Sequence, residues 1–140
     1  MLRFIRPRVG METILLVDDN PLRASLRQSL LEAGSSKAVR AVVRALDASE
    51  ALCMVEAPEF AQRLALVITG HVMSGISGPE FVAEFRSRMP QVPVLVLSPA
   101  TDAEKEYQGI GGVYNSQTNS PDELRSLVAR LVGAGQRQTA

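Results

Sequence analysis

Apolar residues along this chain fall into short unbroken runs separated by stretches with helical spacing. Thr13-Ile14-Leu15-Leu16-Val17 is one such run, as expected of a strand buried on both faces. Asn20 then offers a helix N-cap, with Pro21 at the first helical position. Leu22, Leu26, Leu30 and Ala33 follow at helical spacing, and Gly34 supplies a stop. A second strand is predicted within Ala38 to Arg44. Its composition is less apolar than the first, which suits the edge of a sheet. Asp47 with Glu50 three residues later is a capping pattern for a helix through Leu52 and Val55. Leu64 to Thr69 reads as a further buried strand. Pro79 opens a helix whose Phe81, Val82, Phe85 and Met89 share one face, and Pro93 to Leu97 is again a strand. Thr101 and Glu104 form a capping pattern on a short charged helix anchored by Ala103 and Tyr107. A brief strand follows at Gly112-Val113-Tyr114. Ser120-Pro121-Asp122-Glu123 opens a last helix lined by Leu124, Leu127, Val128 and Leu131.

Five buried strands, each followed by a helix of about ten residues, require right-handed parallel crossovers. The predicted fold is therefore α/β, a doubly wound three-layer sandwich that meets ligands at the carboxyl ends of its strands. Residues 1–11, with Arg3, Arg6 and Arg8 ahead of Met11, read as a flexible arm. Residues 12–132 form the domain. Residues 133–140 carry two glycines and no apolar period, so they are expected to fray.

Composition narrows the function classes. The 140 residues suffice for one core. Fifteen Lys plus Arg balance fifteen Asp plus Glu, which gives no basic surplus for nucleic acid. A single cysteine and a single histidine rule out an internal disulfide and most zinc or iron ligand sets. No apolar run approaches the length of a membrane span. A cytoplasmic domain is expected, with neither membrane nor nucleic-acid partner.

The candidate chemistry lies at the strand ends. Asp18 and Asp19 close the first strand, Gly70 the third and Ser98 the fourth. Adjacent carboxylates suit magnesium, which takes one or two of them and keeps several waters. A solvated loop in which Asp19 helps to cap the next helix would look the same in sequence.

The runs ILLVDDNPL, LVITGHVMSGISGPEF, PVLVLSP and SPDEL, in that order and spacing across residues 12–132, resemble the receiver domain of two-component response regulators. The likeness is strongest to CheY-like receivers of hybrid histidine kinases. The resemblance implies a flavodoxin-like (βα)5 fold with strand order 2-1-3-4-5. It also implies magnesium-dependent transfer of a phosphoryl group from a kinase histidine to an aspartate at the end of the third strand. Met73 and Gly78 align that aspartate with Gly70, and Ser74 replaces the family's proline. Asp18 and Asp19 match the acidic pair, Ser98 the switch hydroxyl and Tyr114 the switch aromatic. Pro99 replaces a small residue, and Gln117 and Thr118 stand where the family has lysine and proline.

An acyl phosphate needs a carboxylate nucleophile, which glycine lacks. Asp18 and Asp19 cannot step in, because in-line attack depends on close positioning. Losing the aspartate and lysine together avoids an unpaired buried ammonium. The expectation is a degenerate receiver that is no enzyme and has no cofactor beyond weakly held magnesium at Asp18 and Asp19. It would act by binding proteins, whether a histidine kinase, a downstream effector or a second copy through its last two strand–helix units. The Gln117–Thr118 peptide is expected to be trans, since a cis bond is costly away from proline.

Two alternatives stay open. One is phosphorylation at a displaced residue, with Asp18, Asp19 or His71 as acceptor, although no neighbour evident in sequence orients the His71 ring. Ser74 and Ser77 have no evident general base. The other is a small ligand in the strand-end pocket, where no glycine-rich phosphate loop follows the first strand. Cys53 reads as a small buried or half-buried hydrophobe.

Overall fold

The five apolar runs form the strands of one parallel sheet: β1 (Thr13–Val17), β2 (Ala41–Ala45), β3 (Leu64–Gly70), β4 (Val94–Leu97) and β5 (Val113–Ser116). This computed structural model describes residues 13–33, 41–71, 74–98, 103–116 and 120–138, with the side chains of 103, 104 and 133–138 left aside. Strand order is β2-β1-β3-β4-β5, the doubly wound arrangement expected. Every residue of β1 and β3 is buried, as a strand covered on both faces must be. β2 lies at an edge and exposes Ala41 and Arg44.

Alternation along the strands divides the core in two. Leu15, Val17, Val67, Val94 and Val96 point to one face, covered by α2 (Ala48–Met54), α3 (Pro58–Arg63) and α4 (Gly78–Arg88). Ile14, Leu16, Leu66, Ile68 and Leu95 point to the other, covered by α1 (Pro21–Ala33) and α5 (Pro121–Gln138). Phe81, Val82, Phe85 and Met89 are buried together, as their spacing predicts. Asp47 caps α2 by accepting from the Glu50 amide at 2.8 Å, and the Glu50 carboxylate reaches back to the Leu46 amide. Ser77 and Glu80 form a reciprocal capping box on α4.

Several elements differ from expectation. α1 begins as predicted, with the Asn20 side chain accepting from the Arg23 amide at 3.0 Å. Yet Leu22 and Leu26 are 72% and 60% exposed, while Ala24 and Leu31 are buried and Arg27 and Gln28 are half-buried between them. The inward stripe thus joins two buried apolar residues to Arg27, which reaches Asp18. α3 was not anticipated, because its six residues carry no apolar period; Pro58 at its first turn was the available signal. Cys53 is exposed, not buried, since Ala48 and Ala51 take the inward positions of α2. The short charged helix is a 3-10 segment, Ala103–Tyr107. The α5 backbone stays helical to Gln138, beyond the point where fraying was expected. Pro99, Thr101, Gln117 and Thr118, with the expectations placed on them, lie outside the described residues, as does the 1–11 arm.

Candidate functional site

The carboxyl ends of β1 and β3 adjoin, because Val17 pairs with Thr69. Asp18 and Asp19 leave β1 beside the exit of β3 at Gly70. The two carboxylates are in different surroundings.

Asp18 has no exposed side-chain surface. Its Oδ1 accepts from the Asn20 amide at 3.0 Å and from Arg23 Nη2 at 2.7 Å. Its Oδ2 accepts from Arg23 Nε at 2.9 Å and from Arg27 Nη1 at 2.9 Å. The Arg23 contact is the bidentate fork that makes arginine–carboxylate pairs strong. Burial acts to raise the Asp18 pKa. The Arg23 hydrogen bonds, the Asn20 amide and the two guanidinium charges outweigh it and hold the carboxyl below its usual value. The helix supplies this geometry, since Arg23 and Arg27 stand four residues apart and so share one face of α1.

Asp19 is part-exposed, and its Oδ2 accepts from the Ser74 amide at 2.9 Å and Ser74 Oγ at 3.1 Å. It therefore ties the β1 exit to the loop after β3. A carboxylate does stand beside Ser74, a neighbour that the separation of 55 residues concealed.

At the end of β3 the chain turns from Gly70, which has no side chain, into His71. The expectation that nothing orients the His71 ring is corrected by the structure. Nδ1 lies 2.8 Å from the Tyr107 hydroxyl and Nε2 lies 3.2 Å from Glu106 Oε2. The rings of His71 and Tyr107 meet edge to face at 5.6 Å. Tyr107 is 3% exposed, and burial, assisted by the Glu106 charge, pushes its hydroxyl up to about 12. Gly78 makes this approach possible: a Cβ there would lie 2.5 Å from the Tyr107 hydroxyl and 2.6 Å from the His71 carbonyl oxygen.

Of the two residues that the resemblance matches to switch positions, Ser98 is buried, and its amide donates to the Ser116 carbonyl at 3.1 Å. Tyr114 is 41% exposed on edge strand β5. The structure thus brings together Asp18, Asp19, Gly70, Ser74 and His71, while Tyr114 stands apart. Arg23, Arg27, Glu106 and Tyr107 complete the site and were missed as site residues. For the arginines the signal was their i, i+4 spacing just after an acidic pair. A cavity of about 400 Å3 lies elsewhere, between Ser116 and α5 at Asp122, Glu123, Ser126, Leu127 and Arg130. Ser77 caps α4.

The magnesium ion implied by the family resemblance can be tested against this donor set. A magnesium ion needs carboxylate oxygens free to approach at about 2.0–2.1 Å. Both oxygens of Asp18 are already occupied by guanidinium and amide donors, which cannot be removed by deprotonation. Among the described residues no three His, Cys, Asp or Glu side chains are grouped to hold a metal. The residues as arranged do not fit the ion.

A family profile described as the response regulator receiver domain matches residues 14–112. A search of curated proteins finds no match. Among solved structures, the chain is similar to a two component transcriptional regulator AraC from Clostridium phytofermentans. The TM-score is 0.78 at 18% identity, over 91% of this chain and 98% of that one. It is similar to the response regulator protein TrrA from Thermotoga maritima, solved in complex with magnesium and BeF. There the TM-score is 0.68 at 25% identity, over 86% and 99% of the two chains. It also resembles the receiver domain of the hybrid histidine kinase CckA, with TM-score 0.66 and 26% identity over 86% and 98%.

Proposed function

Because the chain belongs to the response regulator receiver domain family, we propose that it serves two-component signalling as a receiver that takes no phosphoryl group and acts by binding proteins. The observation that carries this reading is Gly70. The last residue of β3 offers no nucleophile at the position that aligns with the family's phosphoacceptor. The neighbouring Asp18 is no substitute, since a carboxylate under two guanidinium groups is a poor nucleophile and points at α1. With no phosphoryl signal to receive, what the fold retains is a surface, and its partners are a histidine kinase or a downstream effector.

His71 is the one residue whose position favours a second reading, phosphorylation at a displaced acceptor. Both of its ring nitrogens are engaged: Nε2 faces the acceptor oxygen of Glu106 and Nδ1 the Tyr107 hydroxyl, so the ring presents no free lone pair to a phosphoryl donor. The test is incubation of the full chain with acetyl phosphate and magnesium, followed by intact mass measurement. No added phosphoryl mass is expected. Stoichiometric addition would overturn the proposal, and its loss in His71→Gln would then assign the acceptor.

A further inference from the structure

We infer that Arg23 and Arg27 are the resident cation of the acidic corner, standing in for a divalent metal and closing the corner to one. This goes beyond the preceding proposal and does not rest on it, since a receiver without its acceptor aspartate could still bind magnesium.

Charge balance supports the inference first. Two carboxylates, Asp18 and Asp19, face two guanidinium groups, so the corner is neutral without any added ion. Arg23 Nη2 lies 2.7 Å from Asp18 Oδ1 and 3.6 Å from Asp19 Oδ1, and thereby bridges the pair. Coordination supports it next. A carboxylate offers about four lone-pair positions. The donors Asn20 N, Arg23 Nε, Arg23 Nη2 and Arg27 Nη1 all reach Asp18 at 2.7–3.0 Å. A metal ion entering the same edge would have to expel a guanidinium that stays charged at every ordinary pH, and would meet its repulsion afterwards. Asp19 alone remains, with one oxygen bound to Ser74. A single carboxylate of that kind is a weak magnesium ligand. The fold supplies the cation from within: the β1 exit and the first two turns of α1 are consecutive in the chain, so the arginines are delivered to Asp18 by local structure.

The test is titration of the full chain with manganese, followed by paramagnetic broadening of backbone amide resonances, alongside Tm in magnesium chloride and in sodium chloride of equal ionic strength. The parent protein is expected to show no saturable broadening selective for Asp18, Asp19 and Asn20, and no Tm rise in magnesium beyond the sodium control. Saturable, selective broadening in the parent would overturn the inference. Arg23→Gln frees one edge of Asp18, so this variant is expected to gain both responses. If it folds and remains as indifferent to manganese as the parent, the guanidinium groups are not what excludes the metal, and the inference fails. If it does not fold, Arg27→Gln is titrated instead: a gain of both responses supports the inference, and indifference equal to the parent's overturns it.

Discussion

A carboxylate with no contact with water persists as an anion only where other charges and donors replace its hydration. Asp18 meets that condition through Arg23, Arg27 and the Asn20 amide. Asp18→Asn keeps the shape but leaves two guanidinium groups without their counter-charge. The expected loss is about 2–3 kcal/mol in urea unfolding, less than for a fully buried pair because Arg23 keeps 42% of its side chain exposed. The pH dependence has a definite sign. The folded carboxyl titrates below its usual value, so its contribution is complete only above about pH 5, where the unfolded carboxyl is also ionised. That contribution is lost as pH falls from there through the lower folded value. The stability gap between the parent and Asp18→Asn should therefore narrow on acidification. A gap of constant size down to about pH 3 would show that the ion pairs are not its source.

At the scale of single elements, α1 shows how pairing overrides hydropathy. Its leucines at 22 and 26 have helical spacing yet face outward. Ala24, Arg27, Gln28 and Leu31 form the inward stripe, one or two turns apart. Rotating the helix to bury Leu22 and Leu26 would gain apolar burial but carry Arg27 away from Asp18 and strand a buried charge, the larger cost. The expected pattern of mutation follows. Leu22→Gln and Leu26→Gln should each change stability by no more than about 0.5 kcal/mol. Leu31→Ala should cost about 2–4 kcal/mol through lost burial and the cavity left behind. Denaturant midpoints of the three variants check this directly, and the reverse order would mean that the helix faces the sheet with its leucines.

Across the whole molecule, the 3-10 segment between β4 and β5 is fastened to the exit of β3 through the buried Tyr107 and the exposed Glu106. Tyr107 and Glu106 hold the His71 ring, and Gly78 at the start of α4 leaves room for the tyrosine hydroxyl. The fold's last two strands are thereby coupled to its central strand without any ligand. The Tyr107 hydroxyl is raised to about 12, whereas an unfolded tyrosine ionises near pH 10. Between these values the folded chain holds a proton that the unfolded chain has lost, so stability falls as pH rises across this window. Tyr107→Phe should lose about 1 kcal/mol at neutral pH with the hydrogen bond, and should show a shallower alkaline decline than the parent. Chemical denaturation at neutral pH and near pH 11 distinguishes the two, and equal alkaline slopes would remove Tyr107 as the cause.

The alternation of apolar runs and capped helices was enough to determine the architecture. A strand buried on both faces must be apolar throughout, as Ile14 to Val17 and Leu64 to Ile68 are, and successive strands of this kind leave only parallel crossovers. The caps at Asn20, Asp47 and Ser120 were legible for the same reason: their partners lie within four residues. The positions of Asp18, Asp19 and Gly70 at neighbouring strand ends were legible once the strand order was known. The partners of those residues were not. Ser74 is 55 residues from Asp19 and Tyr107 is 36 from His71. The face that α1 turns inward, with Ala24 and Leu31 in the core, shows only once the helix is packed against the sheet. Local patterns record what each segment prefers alone, whereas contacts such as Asp19 with Ser74 and His71 with Tyr107 form between segments, and only the assembled fold brings those segments within bonding distance.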